Sequence, residues 1–460
     1  MINKIINNKK ISRVSLVLSL FLISAFLLHF WYGLSSDEGI ALNGAWNIYN
    51  GRMLYHDFFE YISPGSFYLI YGIFSLFGAS YLIVKIFSFL CLVLSTWLIY
   101  KIFLILSPYK TAGLIATFVF FIITSLSYPL INHNTYSLFL TIILTYFLFK
   151  YLSEKKVLYI FLSGILSALT FYFLQNKGIA LIIWLGIFLV YLYKKNKISL
   201  KHIIYSLSGI LLIFAIGLMT WGIFVFTALL RIVRIYHDVN KISYTFILLF
   251  IIIWLGLLIL YKKNDRLKDK YCWLFGLQLA LFISILNLPD IYHLLLNSFP
   301  LIILSALLIR EKYNVFRKYF SKKLLSVFVI LIIFIIYASL FLKFTERLET
   351  SNYTKNMIKD IKNTVKKESI FAHPFLPGLY FELKKYNPYY TNVIETIQGN
   401  QFFLDKNYNI LINEKPSYII TNYKIGERFN YQKNIIDQYI ENNYKIIKKY
   451  NNTWLWQIDK

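Results

Sequence analysis

The chain has 460 residues, of which 58% are hydrophobic, 19% aromatic and only 15% charged. That is too apolar for a soluble globular protein and fits a helical protein that crosses a membrane many times. The formal net charge of +26 does not point to nucleic acid, because the bases gather in short loops between apolar runs. The two cysteines, Cys91 in an apolar run and Cys272 just past a lysine-rich loop, argue against a disulfide framework.

A bilayer core needs about 20 apolar helical residues. Runs of suitable length and polarity occupy 14–32, 80–104, 111–129, 135–152, 157–174, 178–193, 203–228, 244–261, 271–288, 292–309 and 324–342. The first lacks a small-residue cleavage site and reads as an uncleaved anchor. The stretch from Pro64 to Gly78 is short for a crossing and opens on Pro-Gly. Charge decides its placement. With 64–78 left out and the N-terminus in the cytoplasm, Lys110, Lys155, Lys156, Lys194, Lys195, Lys197, Lys201 and the basic stretches 262–270 and 310–323 all fall on the cytoplasmic side. Residues 33–79 then form one long outer loop with helical stretches lying along the membrane surface. The expected architecture is a polytopic α-helical membrane domain, 1–342, with about eleven transmembrane helices.

From about residue 343 the composition turns polar, and no run is long enough to cross. Short strand-like runs at 369–373, 417–422 and 454–458 alternate with helical patterns at Met357 to Val365 and at Ile435, Ile436, Tyr439 and Ile440. Residues 343–460 therefore read as a small α/β domain, extracytoplasmic by the same topology and large enough for a core of its own.

The outer ends of the spans collect polar residues: Asp37 and Glu38, His56 and Asp57, Asn132-His133-Asn134, Gln175-Asn176-Lys177, Arg231, Arg234, His237 and Asp238, and Asp290 with His293. Ionisable groups at membrane depth are costly and mark functional paths. A carboxylate can act as general base on an acceptor hydroxyl, and cations can hold a phosphate as it leaves. Aromatic and aliphatic walls suit a polyprenyl tail. Together these features point to group transfer from a lipid phosphate on the outer face. The sequence has no P-loop, no G-x-G-x-x-G and no Cys/His metal spacing. No nucleotide cofactor is expected, and activation must arrive with the substrate.

The order Asp37-Glu38-Gly39, Ala45, Tyr49-Asn50-Gly51, Leu54-Tyr55-His56-Asp57-Phe58-Phe59, Pro64-Gly65, Tyr68-Leu69 and Phe77-Gly78 closely resembles the first outer loop of GT-C membrane glycosyltransferases. The branch is that of protein O-mannosyltransferases and lipid A aminoarabinose transferases. The stretches 173–178 and 288–300 fit that family more loosely, and Pro64-Gly65 departs from the Pro-Pro of many members. The resemblance implies a polyprenyl-phosphate sugar donor and a glycan, lipid or protein acceptor. It makes Asp37 the catalytic carboxylate, as general base or with a divalent metal. The compact loops and uncleaved anchor, for their part, suggest a bacterial inner (plasma) membrane.

Plainer readings stand beside these. Asp37 is also a good helix N-cap, and Glu38 divides between supporting Asp37 and capping. Lys177, Arg231 and Arg234 suit the donor phosphate or lipid headgroups. His56, Asp57 and His133 suit a cavity or ordinary interfacial polarity. Asp290 and His293 share a helix face, and a hydrogen-bonded pair explains them better than a metal, for which two ligands do not make a site. A flippase for a lipid-linked glycan is the rival from another class. It would show repeat symmetry and broken polar spans, which this sequence lacks. A glycan polymerase or ligase using a diphosphate donor would share the outer-face chemistry.

Overall fold

A computed structural model describes residues 36–60, 62–127, 130–223, 225–228, 268–286, 291–311, 355–391, 401–423 and 431–459. The expected spans 14–32, 244–261 and 324–342 lie outside the described residues, as do Arg231, Arg234, His237, Asp238 and Asp290.

The membrane part is built from helices α1 (Ser36–Tyr49), α2 (Gly65–Phe77), α3 (Tyr81–Leu106), α4 (Lys110–Ser127), α5 (His133–Glu154), α6 (Val157–Phe173), α7 (Gln175–Lys194), α8 (Leu200–Trp221), α9 (Lys268–Ser284), α10 (Ile291–Leu296) and α11 (Phe299–Glu311). Among the described residues four helices, α3, α5, α7 and α8, are long and apolar enough to cross a membrane. With 13 residues, α2 reaches only about 20 Å, short of a bilayer core, as its composition suggested. Two expected runs differ in form. The run 203–228 stops at Gly222, where φ is +62°, and 292–309 is broken into α10 and α11. Pro300 carries no amide proton and disfavours helix just before it. Asn297 and Ser298 instead turn their side chains back onto the carbonyls of His293 and Leu295.

Close helix packing rests on glycine. A Cβ on Gly164 of α6 would stand 2.1 Å from the Ser206 carbonyl oxygen of α8, and one on Gly209 of α8 would stand 2.5 Å from the Phe161 carbonyl oxygen of α6. Small residues let backbones approach where the hydrophobic effect gives helices no reason to associate. The main core runs through α3 to α11, with Phe103, Phe149, Phe188, Trp273 and Phe299 fully buried.

The C-terminal part contains a helix at 355–365 (α12), β1 (Ile370–Pro374), α13 (Leu379–Leu383), α14 (Gln401–Glu414), β2 (Tyr418–Asn422), α15 (Ile435–Asn443), β3 (Tyr444–Tyr450) and β4 (Thr453–Ile458). The sheet order is β1-β2-β4-β3. β1 and β2 are parallel, and the other two pairings are antiparallel. A parallel pair needs a long crossover, supplied here by the chain carrying α13 and α14. The expected strands at 369–373, 417–422 and 454–458 are β1, β2 and β4. The sequence reading did not include β3. It is an exposed edge strand of two isoleucines among lysines, with a bulge between Ile446 and Lys448, so it lacks clean alternation. Cys91 and Cys272 are free thiols.

One hydrophobic cluster joins this domain to the loop. Ala41, Trp46, Ile73 and Phe74 pack with Ile361, Phe371, Phe381 and Trp456. The buried residues of the C-terminal part are therefore continuous with those of α1 and α2. Trp46 Nε1 donates to the Lys385 carbonyl at 2.8 Å. The Phe59 amide donates to Tyr390 O at 2.6 Å. Buried Arg52 donates to the carbonyls of Asn387, Pro388 and Tyr389 and to that of Asp57.

Candidate active site

The polar centre forms where α1, α5 and α7 begin. α1 starts at Ser36, so Asp37 and Glu38 occupy its first turn, where the helix dipole favours negative charge. Their environments differ. Asp37 is half-buried and accepts a hydrogen bond from Asn132 Nδ2 at 3.2 Å. Glu38 is 3% exposed. Its Oε2 accepts from Tyr81 OH at 3.0 Å, its Oε1 accepts from the Ile131 amide at 3.5 Å, and the Lys85 ammonium lies 3.9 Å away.

Asn132 is also the N-cap of α5, where its Oδ1 accepts from the Asn134 amide at 2.7 Å. Asp37 is thus bound by a side chain that the start of a spanning helix already fixes. His133 follows, with Nε2 3.1 Å from Asn134 Nδ2 and a buried, unpartnered Nδ1. Lys177, in the first turn of α7, is fully buried and donates to Ser137 Oγ at 3.0 Å. No carboxylate among the described residues pairs with it. Lys177 and His293, at the end of α10, are both close enough to His133 to interact with it electrostatically.

The structure therefore holds Asp37 and Glu38 against the 131–132 turn that opens α5, and gathers His133, Lys177 and His293 around the first residues of that helix. It does not bring His56 and Asp57 to them. Those two side chains are exposed, 2.6 Å apart, in a turn where Asp57 Oδ2 also accepts from the Met53 amide at 2.7 Å. The Met53 amide, followed by His56, holds the Asp57 carboxyl below the usual range. Among the described residues no group of three or more His, Cys, Asp or Glu side chains is placed to hold a metal ion.

Sequence reasoning passed over Tyr81, Lys85 and Arg52. Lys85 was legible as the one charge in the first four turns of an apolar run. Arg52 gave no local sign, because three of its four carbonyl partners lie more than 330 residues away.

Residues 62–221 match the family model for dolichyl-phosphate-mannose-protein mannosyltransferase. The matched stretch takes in His133 and Lys177 and leaves Asp37 and Glu38 outside it. Two solved structures share the fold over nearly the whole chain. One is ArnT from Cupriavidus metallidurans bound to undecaprenyl phosphate, at TM-score 0.62 and 10% identity, covering 97% of this chain and 98% of that one. The other is ArnT from the same organism in the apo state, at TM-score 0.60 and 11% identity, covering 97% of each. No curated protein matches the sequence. The fold is that of the GT-C membrane enzymes. With the family match over 62–221, the chain is a membrane glycosyltransferase.

Proposed function

We propose that this protein transfers a sugar from a polyprenyl monophosphate to a hydroxyl or amine acceptor on the extracytoplasmic face of a bacterial plasma membrane. One observation carries the reading. A half-buried carboxylate, Asp37, and a fully buried ammonium, Lys177, whose partner among the described residues is a serine hydroxyl, both hydrogen-bond to the start of α5, at Asn132 and Ser137. Undecaprenyl phosphate bound to ArnT supports a lipid phosphate as donor.

In this mechanism Asp37 accepts the proton of the acceptor group as the acceptor attacks the anomeric carbon. The bond from that carbon to the phosphate oxygen breaks, and polyprenyl phosphate leaves. Lys177 and the amide ends of α5 and α7 stabilise the charge gathering on the departing phosphate. His133 and His293 shape that end of the cavity, and Asp290 is a further candidate by its sequence position. Arg231 and Arg234 are further candidates for the phosphate. Asn132 orients Asp37, and Glu38 supports it. The C-terminal domain, pinned to the loop by Arg52, borders the acceptor side. Any gating motion of residues 33–79 carries that domain with it. No step is routed through a metal.

The test is transfer in membranes from a panel of labelled undecaprenyl-phosphate sugars, comparing wild type with Asp37→Asn at equal membrane content. Transfer by the wild type alone supports the reading. Equal transfer by both returns Asp37 to helix capping. Transfer by neither favours a diphosphate donor or a flippase.

A further inference from the structure

Lys85 is a buried charge that the transfer chemistry leaves unused. It sits in the second turn of α3 and is 1% exposed. Its ammonium donates to the Tyr81 hydroxyl, which donates in turn to Glu38 Oε2 at 3.0 Å. The ammonium also lies 3.9 Å from Glu38 Oε1. That oxygen accepts from the amide of Ile131, the residue before Asn132, and Asn132 donates to Asp37. The three side chains therefore tie α3 to the first turn of α1 and to the 130–132 turn, the two segments that define where Asp37 stands. Tyr136 on α5 and Glu382 on α13 also face this cluster, and neither supplies positive charge.

We propose that Lys85 is a positioning residue for sugar transfer. It is the fixed counter-charge that keeps the adjacent Glu38 turned inward, so that Asp37 is the carboxylate presented to substrate. The proposal rests on the Asp37 reading above. A buried carboxylate deprived of its cation either takes up a proton or rotates toward water. For Glu38 either change loosens the Ile131 contact and sets a second carboxyl beside Asp37. A Lys85 that merely packed helices would show its effect through size and shape. A counter-charge shows it through balance: neutralising the partner should repair its loss.

The experiment uses the full-length protein in membranes with the labelled undecaprenyl-phosphate sugar that the wild type accepts. Variants are Lys85→Met, Glu38→Gln, the double variant and Asp37→Asn. Lys85→Met is expected to lower kcat on the order of 10–100-fold with little change in KM, as misplacement of a catalytic group does. The double variant should recover to within about tenfold of wild type, ahead of either single change. A double variant no better than Lys85→Met overturns the proposal, as does wild-type kcat in Lys85→Met or a loss confined to KM. If Lys85→Met does not accumulate, the double variant decides: accumulation with transfer supports charge balance, and failure of both assigns Lys85 a structural role and overturns it. An active Asp37→Asn, or a wild type that accepts no such donor, sinks the underlying reading and this inference with it. An inactive Asp37→Asn with no recovery in the double variant sinks the inference alone.

Discussion

Replacing Arg52 by alanine should release the C-terminal domain from the outer loop. The guanidinium is buried and donates to four carbonyls, three of them on the extended segment Asn387–Tyr389. The Tyr389 bond is 3.0 Å long and the Pro388 bond 3.3 Å. Hydrogen bonds to a charged donor contribute about 1.5–3 kcal/mol each, and a buried acceptor left unpaired costs about 1–3 kcal/mol. Water entering the vacated space repairs part of that loss. Trp46 with Lys385 and Phe59 with Tyr390 remain. A net cost of about 3 kcal/mol follows, or roughly a 100-fold rise in the undocked population. Hydrogen exchange on the full chain reads it: the amides of Phe59 and of segment 387–391 should lose protection while those of β2 and β4 keep theirs. Arg52→Lys, which presents one ammonium where the fork reached several carbonyls, should fall between. Unchanged protection at 387–391 in Arg52→Ala would refute the clamp. Equal loss across the sheet would show that Arg52 supports the domain's fold and not its docking.

Gly178→Ala should destabilise the membrane domain by about 1–3 kcal/mol, because its Cβ would stand 2.2 Å from Phe171 Cα and 2.3 Å from Phe171 N. Thermal unfolding in detergent checks this against Gly72→Ala, where a Cβ meets nothing within 4 Å. Lys177→Met should leave that unfolding temperature unchanged or raise it, since it removes a buried charge, while weakening binding of labelled undecaprenyl phosphate. A fall in stability with unchanged binding would count against the phosphate role. Asp437 is buried against His373 Nε2 at 3.0 Å and Tyr431 OH at 2.6 Å. Burial alone would raise its pKa, but the His373 bond and charge, Tyr431 and the Asn434 amide together hold it well below the usual range. A depressed carboxylate contributes stability that is present above its unfolded pKa of about 3.9 and is lost as pH falls below that value. Asp437→Asn should therefore cost about 3 kcal/mol at neutral pH and flatten the acid side of the sheet's stability profile by hydrogen exchange. A variant as stable as wild type at pH 7 would refute this.

The spans that survive as long helices were legible because twenty apolar residues in a row have few alternatives in a lipid solvent. The same holds for β1, β2 and β4, whose buried residues declare themselves by composition. β3 was not legible, because an exposed strand follows no burial pattern, and neither was the break at Pro300 within a run of correct overall hydropathy. For the site, the sequence marked the outer-end polar residues but not their grouping. It offered His56 and Asp57 a cavity role by motif beside plain interfacial polarity, and the chain pairs the two with each other in an exposed turn. It treated Lys85 as part of a span because the average over the run hides one charge. Contacts such as Trp46 with Lys385, 339 residues apart, are set by tertiary packing, and no local pattern announces them.

The two buried lysines decide between a centre built for stability and one built for an anion. Both lie near helix N-termini, where the dipole disfavours a cation, and both are out of water, where an unpaired charge is costly. Lys85 is offset by Glu38 and Tyr81, so its place is explained by contacts within the chain. Lys177 has the same unfavourable position, and among the described residues it donates to a serine hydroxyl, which carries no negative charge. Folding alone gives no reason to keep an ammonium there when methionine would fill the same space without that cost. Among the described residues no negative charge answers it, and the donor phosphate proposed above would supply one. Such a phosphate would sit near His133 and His293, which share the surroundings of Lys177. Loss of undecaprenyl-phosphate binding in Lys177→Met is the measurement that decides between that proposal and a lysine kept for packing.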